Sequence, residues 1–223
     1  MTPISLTIGG YTQGTQLGRG MVHAALARDG SGIEVLAVTP FADPSWVVRS
    51  PDGRFLYPVS EAEQGQVAAF GAGAGAGALA LPDAHFAELS AHPTGGAEPC
   101  HAAFIGGWSH LAVANYASGS LSVHPIGPDG SVGARTCLIQ HSGSGPDPDR
   151  QAGPHVHMVT EDPAGRHVLA VDLGVDSIFG YELDRATGVL HQVSQTRLRP
   201  GFGPRHLAFH PDARHVYVVG ELG

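Results

Sequence analysis

One pattern of residues returns four times along this chain, and it restricts the fold more than any other feature. It opens as Pro44-Ser-Trp-Val-Val, Pro99-Cys-His-Ala-Ala-Phe, Pro154-His-Val-His-Met-Val and Pro204-Arg-His-Leu-Ala-Phe, the prolines standing roughly 50 residues apart. A turn follows, such as Pro51-Asp-Gly-Arg54, Asp162-Pro-Ala-Gly-Arg166 or Pro211-Asp-Ala-Arg214, and then a second apolar run ending on Glu61, Asn115, Asp172 or Glu221. A period of this length, built from short apolar runs and turns, predicts an all-β protein. Specifically it predicts a β-propeller with one four-stranded antiparallel blade per repeat. Gly (32 residues) and Pro (17) fill about a fifth of the 223 residues and charged residues only 14%, which excludes a helical bundle or coiled coil. No helical apolar period persists for the length of a helix, so no helix is predicted.

Strands A to D are counted outward from the propeller axis. In the third repeat they are predicted over 155–160, 167–172, 177–183 and from 189 onward. The same phase divides one propeller domain, 1–223, into residues 1–43 (B, C and D of one blade), 44–98, 99–153 and 154–203 (whole blades), and 204–223 (A and B). That is about four blades' worth of chain. The two end segments would both supply a B strand and cannot close one blade together, so the chain is expected to be a piece of a longer propeller. The low-complexity stretch Gly71–Ala80 reads as an elongated outer C–D turn. Gly106-Gly-Trp-Ser109 replaces the usual A–B turn of the second repeat and is expected to be built differently. Ala213 stands where sister turns carry glycine, at a cost of about 1 kcal/mol if the position requires positive φ.

A net charge of −8 without a Lys/Arg cluster argues against a nucleic-acid partner. No apolar stretch approaches the ~20 residues of a membrane span, and no secretory leader is visible. Cys100 and Cys137, the only cysteines, form no C-x-x-C pair, and a cytoplasmic protein with reduced thiols is expected.

In a blade, the start of A and the end of B lie on the same face beside the axis. That rule gathers Ser45, Cys100, His101, His155, His157, Arg205 and His206 with Glu61, Asn115, Asp172 and Glu221 around one rim. Strand alternation places His155 and His157 on one side, and turns His101 and His206 away from Cys100 and Arg205. Asp172, in the tight turn Asp172-Leu-Gly-Val-Asp176, reads as the most structural of the set. The long Gly/Pro-rich segment from Gln140 to His155 leads to the same rim and brings Arg150. Imidazole, guanidinium and carboxylate groups converging on a concave mouth suit acid–base work on a small anionic substrate. His155-x-His157 lacks further ligands at a diagnostic spacing, so no metal site is assigned there. Cys100 and His101, as strand neighbours, point apart and make a poor nucleophile–base pair. No G-x-S-x-G, P-loop or G-x-G-x-x-G motif occurs.

Three longer segments carry a resemblance. Arg150-Gln-Ala-Gly-Pro-His-Val-His157, Asp172-Leu-Gly-Val-Asp-Ser-Ile-Phe-Gly-Tyr-Glu-Leu183 and Pro200-Gly-Phe-Gly-Pro-Arg-His-Leu-Ala-Phe-His-Pro211 together resemble the bacterial 6-phosphogluconolactonase/lactonase family. Ile8-Gly-Gly-Tyr-Thr12 and Ala114-Asn-Tyr-Ala-Ser-Gly-Ser120 fit the same pattern. The resemblance implies a seven-bladed propeller, similar to the fungal enzyme that interconverts carboxy-muconate and its lactone. It implies hydrolysis of a sugar lactone, most directly 6-phosphogluconolactone of the pentose phosphate pathway, with no organic cofactor. The matching positions assign His155, with Glu221, as general base, Arg205 to the oxyanion and Arg150 to the substrate's phosphate or carboxylate. His157, His206 and Glu61 are further substrate-binding candidates. A lactonising or cyclase reaction on a muconate-type lactone and a non-catalytic binding propeller are the competing readings.

Overall fold

The computed structural model describes residues 3–13, 18–72 and 86–223. Every regular element among them is a β-strand, and the strands form five antiparallel sheets that follow one another along the chain. The first sheet is β1 (Ile4–Ile8), β2 (Met21–Leu26) and β3 (Ile33–Thr39). Three four-stranded blades come next. They are β4 (Pro44–Arg49), β5 (Phe55–Ser60), β6 (Gln66–Ala72) and β7 (Phe86–Pro93), followed by β8 (Pro99–Ile105), β9 (His110–Asn115), β10 (Ser120–Pro125) and β11 (Cys137–Gln140). The last of the three is β12 (Val156–Glu161), β13 (Val168–Asp172), β14 (Ser177–Asp184) and β15 (Val189–Arg197). The hairpin β16 (Pro204–Phe209) and β17 (Val216–Gly220) ends the series. In chain order these are blades I to V. From residue 73 on, the Gly/Ala-rich stretch read as an outer turn lies outside the described residues.

Blades hold together because their middle strands are apolar on both faces, each face serving a different neighbour. Leu56, Ala68 and Phe70 of blade II pack with Met21 of blade I. Tyr57, Val59, Val67 and Ala69, one step along the same strands, pack with Ala102, Leu111 and Val113 of blade III. Strand periodicity of two accounts for the division. A third cluster joins Ala112, Ala114, Leu121 and Val123 of blade III to Val156, Val159, Ala170, Phe179 and Tyr181 of blade IV. At ~25 cal/mol per Å² of buried apolar surface, these interfaces are the main favourable contribution to the fold.

The A–B turns behave as their sequences demand. Gly53 (φ 72°) and Gly165 (φ 64°) adopt the left-handed conformation, and Ala213 (φ 54°) is held there without glycine's freedom. The turn of blade III does differ: Gly106, Gly107 and Trp108 are all left-handed, and the Glu161 carboxylate accepts the Gly106 N–H at 2.7 Å.

Candidate active site

Every first strand described from blade II onward begins with the same β-bulge. The register slips between Pro44 and Trp46, Pro99 and His101, Val156 and Met158, and Pro204 and His206. The residue left over is Ser45, Cys100, His157 or Arg205, and all four side chains line one axial cavity of about 540 Å³. Bulges re-aim side chains at barrel rims and near active sites. Here the bulge overrides simple alternation, so Arg205 and His206, adjacent in sequence, both line the cavity.

A second ring comes from the residue that follows each second strand. The amides of Glu61, Tyr116, Leu173 and Glu221 donate to the carbonyls of Asp43, Glu98, His155 and Gly203 at 2.8–3.0 Å. Glu61, Tyr116 and Glu221 line the cavity, joined from blade I by Tyr11 beside Gly9 and Gly10. A Cβ on Gly9 would stand 1.9 Å from the Pro44 carbonyl oxygen, so only glycine lets blades I and II meet so closely at the rim.

This hydrogen-bond equivalence corrects the sequence phase of the third repeat. His155 matches Asp43, Glu98 and Gly203, and His157, not His155, takes the rim position of Ser45, Cys100 and Arg205. Accordingly His155 does not line the cavity. Its Nδ1 lies 3.0 Å from the Tyr116 carbonyl oxygen and its ring stacks on Tyr116 at 4.6 Å, so the general-base role assigned to it does not hold. Asn115 and Asp172 also fall one residue short of the rim and are fully buried. Asp172 accepts from His155 N (2.8 Å) and Gly174 N (3.0 Å), and its other oxygen meets buried His141 at 2.7 Å, which in turn meets the Tyr181 hydroxyl at 2.7 Å. His101 lies beneath the rim, its ring 4.2 Å from Trp46. Arg150, His157, Arg205, His206, Glu61 and Glu221 are brought together, whereas Tyr11, Tyr116 and Trp46 were not anticipated as site residues. Counting each second strand to the same end would have exposed Tyr116, since it holds the position of Glu61 and Glu221.

The cavity's charges are arranged about Glu221, whose carboxylate pairs with Arg150 through one oxygen and with Arg205 through the other. Arg150 Nη2 also donates to the Tyr116 hydroxyl at 3.2 Å. The loop that carries Arg150 is fixed by Gln151, fully buried, which donates to the Leu173 carbonyl at 2.9 Å and accepts the Asp147 amide at 3.2 Å. Partial burial works to raise the Glu221 pKa, but the hydrogen bond from Arg150 and the charge of Arg205 hold it below its ordinary value.

The imidazoles, the Cys100 thiol and the Tyr11 hydroxyl are neutral near pH 7. Burial first, then the Arg205 charge, lowers His157 to about 4. Burial and then the charges of His206 and His157 lower His101 to about 3, and burial followed by Arg205 lowers His206. Burial pushes the Cys100 thiol up to about 12, so no thiolate is present. Burial, then a hydrogen bond to Glu61, pushes Tyr11 to about 12. With neutral imidazoles, the cavity's charged lining groups are two guanidinium groups and two carboxylates. The charge is separated rather than net positive: the arginines cluster at Glu221, and Glu61 stands with Tyr11. Among the described residues, the His, Cys, Asp and Glu side chains whose ligand atoms come close enough for a metal are His210, Asp212 and His215, away from this cavity.

Comparison with known proteins places this geometry. The family model for "Lactonase, 7-bladed beta-propeller" matches residues 5–223. A 6-phosphogluconolactonase of Bacillus subtilis is 34% identical over 81% of this chain and 49% of its own length. A solved structure from Bacteroides fragilis superposes with a TM-score of 0.89 at 31% identity, covering 100% of this chain and 62% of that one. The periplasmic gluconolactonase of Pseudomonas aeruginosa gives 0.88 at 27% identity, over 98% of this chain and 61% of that one. The chain thus spans about half to three-fifths of the length of these relatives.

Proposed function

This chain belongs to the family of seven-bladed β-propeller lactonases, and on that premise we propose that its axial cavity hydrolyses an anionic sugar lactone, 6-phosphogluconolactone being the foremost candidate. The observation that carries the reading is Glu221 bridging Arg150 and Arg205 beside a neutral His157. A guanidinium has five N–H donors in a planar fork. Arg205 meets Glu221 through Nη1, and Arg150 uses Nη2 for both Glu221 and Tyr116, so each fork keeps further donors to offer the cavity.

In this reading His157, unprotonated at neutral pH, takes a proton from the attacking water as oxygen bonds to the lactone carbonyl carbon. Arg205 stabilises the alkoxide that forms, the ring C–O bond breaks, and the departing ring oxygen takes the proton back. Arg150 holds the phosphate. Oxyanion stabilisation is worth about 10²–10³-fold, and a positioned base roughly 10²–10⁴-fold. An imidazole lowered to about 4 is a weaker base than an ordinary one, which places His157 toward the bottom of that range. Glu221, held ionised by two cations, orients them and does not accept the proton.

The test is a lactonase assay of the full-length protein on 6-phosphogluconolactone and on unphosphorylated gluconolactone. Losses of ~100-fold or more in His157→Ala and Arg205→Ala are expected, together with a preference for the phosphorylated substrate that Arg150→Ala abolishes. Near-wild-type rates in both alanine variants would end the assignment. Equal turnover of the two lactones would move the substrate to the neutral sugar.

A further inference from the structure

At the end of the β16–β17 hairpin opposite Arg205 and Glu221, the connecting turn reads His210-Pro-Asp-Ala-Arg-His215. The corresponding turns of blades II and IV read Ser50-Pro-Asp-Gly-Arg-Phe55 and Asp162-Pro-Ala-Gly-Arg-His167. Each of those brings together at most one imidazole and one carboxylate, as His167 and Asp162 do at 3.0 Å. Blade V sets two imidazoles about one carboxylate. Asp212 Oδ1 stands 3.0 Å from His210 Nδ1 and Oδ2 stands 2.8 Å from His215 Nδ1, with the ligand atoms of all three residues within 4.8 Å of one another. The backbone fixes the arrangement: His210 N donates to His215 O and Ala213 N to His210 O, both at 2.9 Å.

Both Nδ1 atoms are turned toward the carboxylate: His210 Nδ1 stands 3.0 Å from Asp212 Oδ1 and 3.2 Å from the Asp212 amide nitrogen. An imidazole nitrogen without its proton offers a lone pair to a cation held between such groups. Two imidazoles with one carboxylate suit a zinc-type first-row ion, whereas calcium and magnesium take oxygen ligands. Tetrahedral bonds of ~2.0–2.1 Å separate ligand atoms by about 3.3 Å, so the observed spacing needs only small side-chain rotations. Asp212 and His215 are exposed, which leaves a path for the ion and room for water to complete its shell.

We propose that His210, Asp212 and His215 bind a zinc-type divalent cation that clamps the outer turn of the hairpin carrying Arg205 and Glu221. The site is independent of the lactonase reading and takes no part in its chemistry.

Titration of the full chain, first freed of metal, with zinc chloride against a chromophoric chelator tests this. One equivalent of zinc should bind, and His210→Gln and His215→Gln should each weaken it by at least ~10-fold. His167→Gln, in the sister turn, should leave it unchanged. Asp212 also caps the turn by accepting the Arg214 amide at 2.8 Å, so the glutamine variants, which keep that cap, carry the test. With cobalt as the probe, the visible absorption of a low-symmetry site should appear in the wild type and vanish in both variants. Wild-type zinc affinity in the two glutamine variants would place any bound ion elsewhere among the 14 histidines and overturn the proposal, as would the absence of zinc binding by the wild type.

Discussion

Glu61 and Glu221 occupy the same place in blades II and V, yet their surroundings differ. Each follows the second strand, and each amide bonds back to the residue just before the first strand, Asp43 or Gly203. Glu221 meets two guanidinium groups, one from its own hairpin and one from the loop between blades III and IV. Glu61 meets Tyr11 of blade I, whose hydroxyl it helps push to about 12 after burial has done the larger part. The propeller repeat thus fixes where a carboxylate stands, and the neighbouring blades decide what it does. At the same position in blade IV stands Leu173, buried and without any charge to contribute.

The largest effect that can break this contrast is on turnover. Glu221→Gln should lower kcat/KM for the lactone by about 10²–10³-fold, because both arginines lose the carboxylate that aims them. Glu61→Gln should cost a factor of ~10 or less, well short of the ~10²–10⁴-fold expected for a lost base. Steady-state kinetics of the two variants decide the matter. If the order is reversed, Glu61 is the proton acceptor and the roles of the two carboxylates must be exchanged.

Stability against pH sharpens the same comparison in the interior beside it. His101 has its folded pKa lowered from 6.5 to about 3, so the unfolded chain binds a proton that the native state refuses between these values. Stability should therefore fall as pH drops below about 6.5 and go on falling toward 3. Glu221, held below its ordinary 4.5, adds stability that is complete above that value and is lost as pH falls through its folded pKa. Urea melts across the acid range should show a shallower slope above pH 4.5 in His101→Gln, the remainder coming from His157 and His124, which are likewise lowered by burial, whereas Glu221→Gln should act below that pH. A His101→Gln profile with the wild-type slope would show that burial of this imidazole is not the cause.

The smallest effect concerns the turns. Ala213 holds φ 54° where blades II and IV use glycine, so Ala213→Gly should stabilise the protein by about 1 kcal/mol in denaturant melts, while Gly53→Ala and Gly165→Ala should destabilise it by a similar amount. Destabilisation by Ala213→Gly would mean that the lost entropy of the unfolded chain outweighs the relief of strain.

Much of the fold was legible because its signals are local. The short apolar runs, the Pro/Asp/Gly/Arg turns and the repeat length gave the strands to within a residue or two, as β14 (Ser177–Asp184) shows against a predicted 177–183. The site was legible in part, since the rule that first-strand starts meet second-strand ends brought His157, Arg205, His206, Glu61 and Glu221 to one cavity, and the long polar loop before the third repeat brought Arg150. It failed at His155 because Pro154 was aligned with the other prolines. The polar loop before β12 runs on to Val156, with Asp172 capping the His155 amide, and pairing with β13 rather than the proline fixes the register. It failed again at His206, where alternation was applied across a bulge.

What the sequence alone determined, then, is the repeat and its strands: side-chain period, turn chemistry and strand propensity act between residues close along the chain. The bulges that aim Ser45, Cys100, His157 and Arg205 inward, and the pairing of one carboxylate with arginines from two different places, were decided only in the tertiary structure. They depend on which strands pair and which blades touch, and those contacts join residues as far apart as Arg150 and Glu221, whose separation in the chain carries no local signal.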